Sequence, residues 1–168
     1  MKLSAKKLTL CGVIAATYVA LTYLSAAFGL AYGPIQFRVS EALTILPIFT
    51  PAAIPALTIG CFISNLTSFN PIDLIFGTLA TLLAALITRY ARNITVGKFP
   101  VISFLAPVIM NALLVGLEIA IFYLDGFTIA GFLISALEVG IGELLVLLII
   151  GTPLWLGLRK KAPLLFNN

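Results

Sequence analysis

No histidine occurs among the 168 residues. This excludes His-ligated zinc, Ser–His triads and the paired-histidine metalloprotease motif. Cysteine is almost as scarce: Cys11 and Cys61 stand alone inside apolar runs and make neither a disulfide framework nor a metal set. There is no Gly-x-x-x-x-Gly-Lys-Ser/Thr phosphate loop, so ATP has no such site within these residues. No nucleophile–base pair and no residue set for a cofactor is visible, which argues against an enzyme. Charge is sparse too: 10% of residues are charged, against about 25% in a soluble domain. What is present is hydrophobic, 61% of the chain. A bilayer-crossing helix takes about 20 apolar residues. Six would take roughly 120, leaving short connections and no space between them for a soluble catalytic or nucleotide-binding domain. Residues 1–168 therefore read as a single transmembrane domain.

The net charge of +4 raises the question of nucleic acid, and its placement answers it. Nine of the ten basic residues form three groups at the ends of apolar runs: Lys2, Lys6 and Lys7; Arg89, Arg92 and Lys98; Arg159, Lys160 and Lys161. That is the positive-inside pattern of cytoplasmic segments. Aromatic residues do not interleave with them as on a nucleic-acid surface, so no nucleic-acid partner is expected.

With all three groups cytoplasmic, the crossings between successive groups must be even in number. Phe99–Leu124 and Phe127–Leu158 form one pair, turning outside at Asp125-Gly126. Leu8–Leu30 crosses outward. Asp73–Arg89 returns, with Asn70-Pro71 as its start signal. Between these lies an uncharged run of 31 residues, Ala42–Ile72. As one helix it would be about 46 Å long, too long and too apolar for a solvated loop, whereas two full passes need about 60 Å. The compromise is a short helix over about Gln36–Phe49, a turn at Thr50-Pro51, and a fuller helix to about Ser68. The short helix draws Arg38 and Glu41 to the outer membrane boundary or below it. The expectation is an all-α integral membrane protein with six transmembrane helices, the second short, and both termini cytoplasmic. No repeat and no inverted halves are visible. The first helix has too long an apolar run for a cleaved signal peptide.

Ionisable residues inside a membrane are costly and mark function by default. Arg38 is the one base outside the cytoplasmic groups, three residues before Glu41. The two can pair across one helical turn or contact a substrate where the site closes from outside. Asn111 and Glu118 are seven apart, nearly on one face. Glu138 and Glu143 are five apart, about 140° around a helix, so a single narrow face cannot hold both unless the helix is distorted. Gly140 and Gly142 permit a bend or a close approach there. Counted back from Asp125, Asn111 lies about 21 Å and Glu138 about 20 Å deep. Asn65 is either an interhelical hydrogen-bonding group or a ligand group. Asn70 and Asp73 are either helix caps or part of a site. Tyr32, Phe37 and Phe69 suit the membrane interface.

All six acids lie outside the cytoplasmic groups, against the single base Arg38. A pocket lined this way suits a donor-rich or cationic ligand. A carboxylate can accept two parallel hydrogen bonds from an amidine-like edge such as guanine N1 and N2. The same acids can serve as a proton relay. In the first helix Gly12, Ala16 and Ala20 recur at four-residue spacing, a small-residue stripe along which another helix can pack closely, within the protein or from a partner.

The segment Gly33-Pro-Ile-Gln-Phe-Arg-Val-Ser-Glu-Ala-Leu-Thr-Ile-Leu-Pro47 resembles the signature of the QueT family. The likeness continues at Asn70-Pro-Ile-Asp-Leu-Ile-Phe-Gly-Thr78, at Asn111–Gly116, at Gly142-Glu143 and at Gly151-Thr-Pro153, in order over nearly the whole chain. Arg38–Pro47 is its most specific part. The resemblance implies a substrate-binding S component of an energy-coupling factor (ECF) transporter for queuosine precursors, seated in a bacterial plasma membrane. It implies ECF S-component architecture with six helices and cytoplasmic ends. It also implies partners, a transmembrane scaffold subunit and two ATPase subunits, with Ala16 and Ala20 matching the family's Ala-x-x-x-Ala scaffold contact and Gly12 extending it. The implied ligand is a 7-deazaguanine such as preQ1, preQ0 or queuine. By chemistry, Glu143 or Glu138 would take the guanine-like edge, Asn111 an amide contact and Glu118 a cationic substituent, with Arg38 and Glu41 holding the outer closure. The alternatives are another small vitamin or purine on the same fold, or a proton-coupled carrier using Glu118, Glu138 and Glu143.

Overall fold

The computed structural model describes residues 5–31, 36–66 and 71–166. Within them the protein is helical, and its only β pairing is an isolated bridge, Val96 with Phe99, in a turn. Helix α1 spans Ala5–Ala27, about 34 Å of helix. It stops where glycine allows a left-handed residue: Gly29 has φ 70°. The Gly29 amide donates to the Ala26 carbonyl and the Leu30 amide to that of Ser25, a Schellman closure that satisfies two end carbonyls.

A 3₁₀ helix follows over Val39–Ile48. It replaces the short helix expected over Gln36–Phe49 and is more tightly wound. Ten residues at about 2.0 Å rise give only about 20 Å, short of a bilayer's hydrocarbon core. This segment is the hub of the fold, since it packs against every α-helix of the protein. Its C-terminal carbonyls need donors in apolar surroundings. Arg89 supplies them, with Nη1 donating to Pro47 O at 3.2 Å and Ile48 O at 3.3 Å. One member of a basic group thus doubles as a helix cap.

Helix α2 spans Ala53–Leu66 and α3 spans Pro71–Tyr90, the latter opening on a proline as its sequence signals. Gly60 lets α2 sit on α1: a Cβ there would stand 3.0 Å from both Ala15 O and Tyr18 Cβ. Helix α4 runs Val101–Phe122. It is tied to α3 by a reciprocal pair, Thr88 Oγ1 to Ser103 O and Ser103 Oγ to Thr88 O, each 3.0 Å. Helix α5, Ile129–Val146, begins on Thr128, whose hydroxyl accepts from the Gly131 amide. It crosses α4 where Gly116 meets Ala136; a Cβ on Gly116 would stand 2.6 Å from Ala136 Cα. A π-helical turn, Leu147–Gly151, joins α5 to α6, Thr152–Phe166. The turn lies just before Pro153, which has no amide hydrogen to continue an α ladder; the Thr152 amide bonds Leu147 O instead.

Four stretches are long and apolar enough to cross a membrane: Ala5–Ala27, Ile72–Tyr90, Val101–Phe122 and the continuous Ile129–Lys161. The 3₁₀ helix and α2 are apolar but shorter. The outward face of the bundle carries large hydrophobic side chains such as Leu24, Phe62, Leu133 and Ile149. This inside-out surface is what lipid requires, and the protein is a multi-pass membrane protein.

Candidate ligand-binding site

Polar groups buried in an apolar bundle need partners, and several here have none. A hollow is lined by Gln36, Arg38, Glu41, Asn111, Val139 and Glu143. Asn111 stands near the middle of α4, and Glu143 lies three residues from the end of α5. Gln36 and Arg38 lead into the 3₁₀ helix, whose first turn carries Glu41. The Gly142 position holds this arrangement together. The Gln36 backbone rests directly on it, and a Cβ would overlap the Gln36 carbonyl oxygen.

Arg38, which precedes the 3₁₀ helix, and Glu41, in its first turn, each bond an uncharged side chain. Arg38 Nη2 donates to Asn65 Oδ1 at 3.0 Å. Asn65 Nδ2 in turn donates to Asp73 O at 3.0 Å. The Tyr18 hydroxyl, on the buried face of α1, donates to Glu41 Oε1. Among the described residues, Glu41 Oε2, Glu143 Oε1 and Asn111 Nδ2 are buried without a hydrogen-bonding partner. Two carboxylates, an amide donor and one guanidinium therefore converge on one space. That set is complementary to a small planar molecule with a donor edge, an acceptor and a positive group. Its free room is about 10 Å³, the space of roughly one water.

The nominated residues divide on this geometry. Arg38, Glu41, Asn111 and Glu143 come together. Arg38 and Glu41 are both buried, with hydrogen bonds to Asn65 and Tyr18 respectively. Glu138 is half-buried and does not line the hollow. The buried face of α5 is Ser135, Val139, Gly142, Glu143 and Val146, a run at helical spacing that includes Glu143 and passes Glu138 by. Glu118 is fully buried on α4 beside Asp73 of α3, and among the described residues neither of its carboxylate oxygens has a hydrogen-bonding partner of good geometry. It is outside the hollow's lining, as are Asp73 and Asn65. Asn65 acts as an interhelical tie: its Nδ2 fills the space that a Cβ on Gly77 would take, at 2.7 Å. Asn70 lies outside the described residues, as do Tyr32 and Phe69. Gly12, Ala16 and Ala20 are exposed on α1, opposite the face that buries Ile14, Ala15, Tyr18 and Thr22. The stripe is therefore not an internal helix contact.

Tyr18, Gln36 and Val139 are the residues that sequence reasoning missed. Val139 and Glu143 share the i, i+4 face noted above. Tyr18 had no such signal, because α1 is apolar on all sides and its buried face does not stand out.

A model of the QueT transporter family matches residues 8–160 of this chain. A protein of Lactococcus lactis subsp. cremoris (strain MG1363), described as "Queuosine precursor transporter QueT", is 50% identical over 70 residues. Those residues are 42% of this chain and 41% of that protein's length. No solved structure matches the chain.

Proposed function

This chain belongs to the QueT transporter family, and from that premise we propose that it captures a queuosine precursor, a small 7-deazaguanine, from outside the cell. It serves as the S component of an ECF transporter in a bacterial plasma membrane. A transmembrane scaffold subunit and two ATPase subunits supply the energy. Six helical passages, the short 3₁₀ segment counted among them, keep both termini and all three basic groups cytoplasmic.

The observation that carries this reading is the set of unpartnered polar atoms around the hollow. In a 7-aminomethyl-7-deazaguanine the amidine-like edge, the carbonyl oxygen and the aminomethyl group follow one another around the ring. Glu143 accepts the amidine-like edge. Asn111 Nδ2 donates to the carbonyl oxygen. Glu41 Oε2 accepts from the ammonium group, the role that chemistry alone suggested for Glu118. Arg38, held by Asn65, keeps two carboxylates in one apolar space from repelling each other. The free room is smaller than a bicyclic base, so uptake begins with the Gln36 ledge lifting off Gly142. Titration of the isolated chain in detergent, without nucleotide, tests this. Saturable binding of 7-aminomethyl-7-deazaguanine is expected, and no heat or fluorescence change with it, with its 7-cyano counterpart or with queuine refutes the assignment.

The exposed Gly12, Ala16 and Ala20 stripe is the scaffold-docking face of this reading. Ala16→Trp is expected to leave ligand affinity within about twofold while abolishing co-purification with the scaffold. Retained co-purification contradicts it.

Glu118 favours a second reading, because a fully buried carboxyl beside Asp73 is suited to carrying a proton. A proton-coupled carrier accumulates ligand in liposomes under a pH gradient with no partner subunit present. Absence of such uptake removes this reading.

A further inference from the structure

Tyr18 has no place in the function described so far, yet it is almost wholly buried, with 1% exposure, and its hydroxyl reaches across from α1 to a carboxylate of the hollow. We propose that Tyr18 is a specificity-determining positioning residue, which occupies one oxygen of Glu41 so that the other faces the ligand as a single acceptor for a cationic substituent.

The two carboxylates of the hollow differ in the acceptors they have left. A carboxylate offers two oxygens and about four lone-pair sites. The Glu143 carboxylate lines the hollow, and its Oε1 is buried with no hydrogen-bonding partner among the described residues, so it is open to a donor edge. Glu41 is different. Oε1 is taken by the phenol, and Oε2 is buried with no partner. The phenol therefore fixes the direction of Oε2. One site then carries two unlike readers, a carboxylate open to a flat donor edge and a single directed oxygen for a point charge. The 3₁₀ winding aids the fixation, because Thr44 Oγ1 donates to Glu41 O at 2.6 Å and holds the backbone beneath the carboxylate. Thr22 likewise bonds Ser40 Oγ at 2.8 Å, so α1 grips the start of the segment at two successive turns.

This inference rests on the 7-deazaguanine reading, and its test separates the two. Wild-type chain, Tyr18→Phe, Glu41→Gln and the double variant are titrated with 7-aminomethyl-7-deazaguanine, which is cationic, and with 7-cyano-7-deazaguanine, which is neutral. Phe preserves the ring that packs in the core, and thermal melts confirm that each variant is folded. Tyr18→Phe is expected to weaken the cationic ligand about tenfold more than the neutral one. In the Glu41→Gln background the same change should leave the ratio of the two affinities unaltered, because the two residues act as a unit. Equal weakening of both ligands, or no weakening, overturns the positioning role and leaves the site reading intact. Failure of wild-type chain to bind either ligand overturns the site reading itself.

Discussion

Two groups of acids lie within this bundle, and they are built differently. Around the hollow, Glu41 and Glu143 face an empty space together with Arg38 and the Asn111 amide. The polar side chains there come from the opening turn of the 3₁₀ helix, from α4 and from α5, and the backbone of Gln36 is seated on a glycine to complete the wall. Glu118, by contrast, lies beside Asp73, an acid next to an acid, outside the hollow's lining. Both groups bury ionisable carboxyls at a cost, but the first also combines a cation, unsatisfied donors and acceptors, and space. Acid content alone does not make a site in a membrane protein. Convergence on a cavity does.

The sharpest way to break this comparison is to neutralise one acid from each group. Glu143→Gln should lower affinity for a 7-deazaguanine about 100-fold, since a two-point charge-assisted contact is lost, with the fold retained by circular dichroism. Unchanged affinity would move the recognising acid elsewhere. Next in size is Gly142→Ala. Its methyl group collides with the Gln36 carbonyl, so the ledge must shift, and about a tenfold loss of affinity is expected by titration. An unaffected variant would show that the ledge does not shape the site. Asn65→Ala removes one acceptor of Arg38 and a tie to α3. A loss of about 1–3 kcal/mol of stability is expected, read as a lowered melting temperature, with a smaller fall in affinity. Smallest should be Glu118→Gln, within about threefold in affinity, because that residue stands apart from the hollow. A large loss there would join the two acid groups into one site.

Much of the helical frame was legible, because lipid imposes length and apolarity on any crossing segment. The expected Leu8–Leu30, Asp73–Arg89 and Phe99–Leu124 differ from α1, α3 and α4 by only a few residues at each end. The last expected span, Phe127–Leu158, corresponds to a continuous run through α5, the π turn and α6. The 3₁₀ winding of Val39–Ile48 was not legible. Its cause is tertiary: six helices close around it and Arg89 caps its end, and none of this is local to the segment. At the site, the spacing of Glu138 and Glu143 showed that one face could not hold both. The choice fell to the α5 face shared by Ser135, Val139, Gly142 and Val146. The close approach permitted at Gly142 was anticipated, but not what approaches. A backbone carbonyl from over a hundred residues earlier in the chain leaves no mark in the local sequence.

The most direct measurement is mass spectrometry of the small molecule that stays with the chain through purification, compared between wild type and Glu143→Gln. The account predicts a 7-deazaguanine mass with wild-type protein and its loss from the variant. A ligand of another class, or equal retention by both proteins, would contradict it.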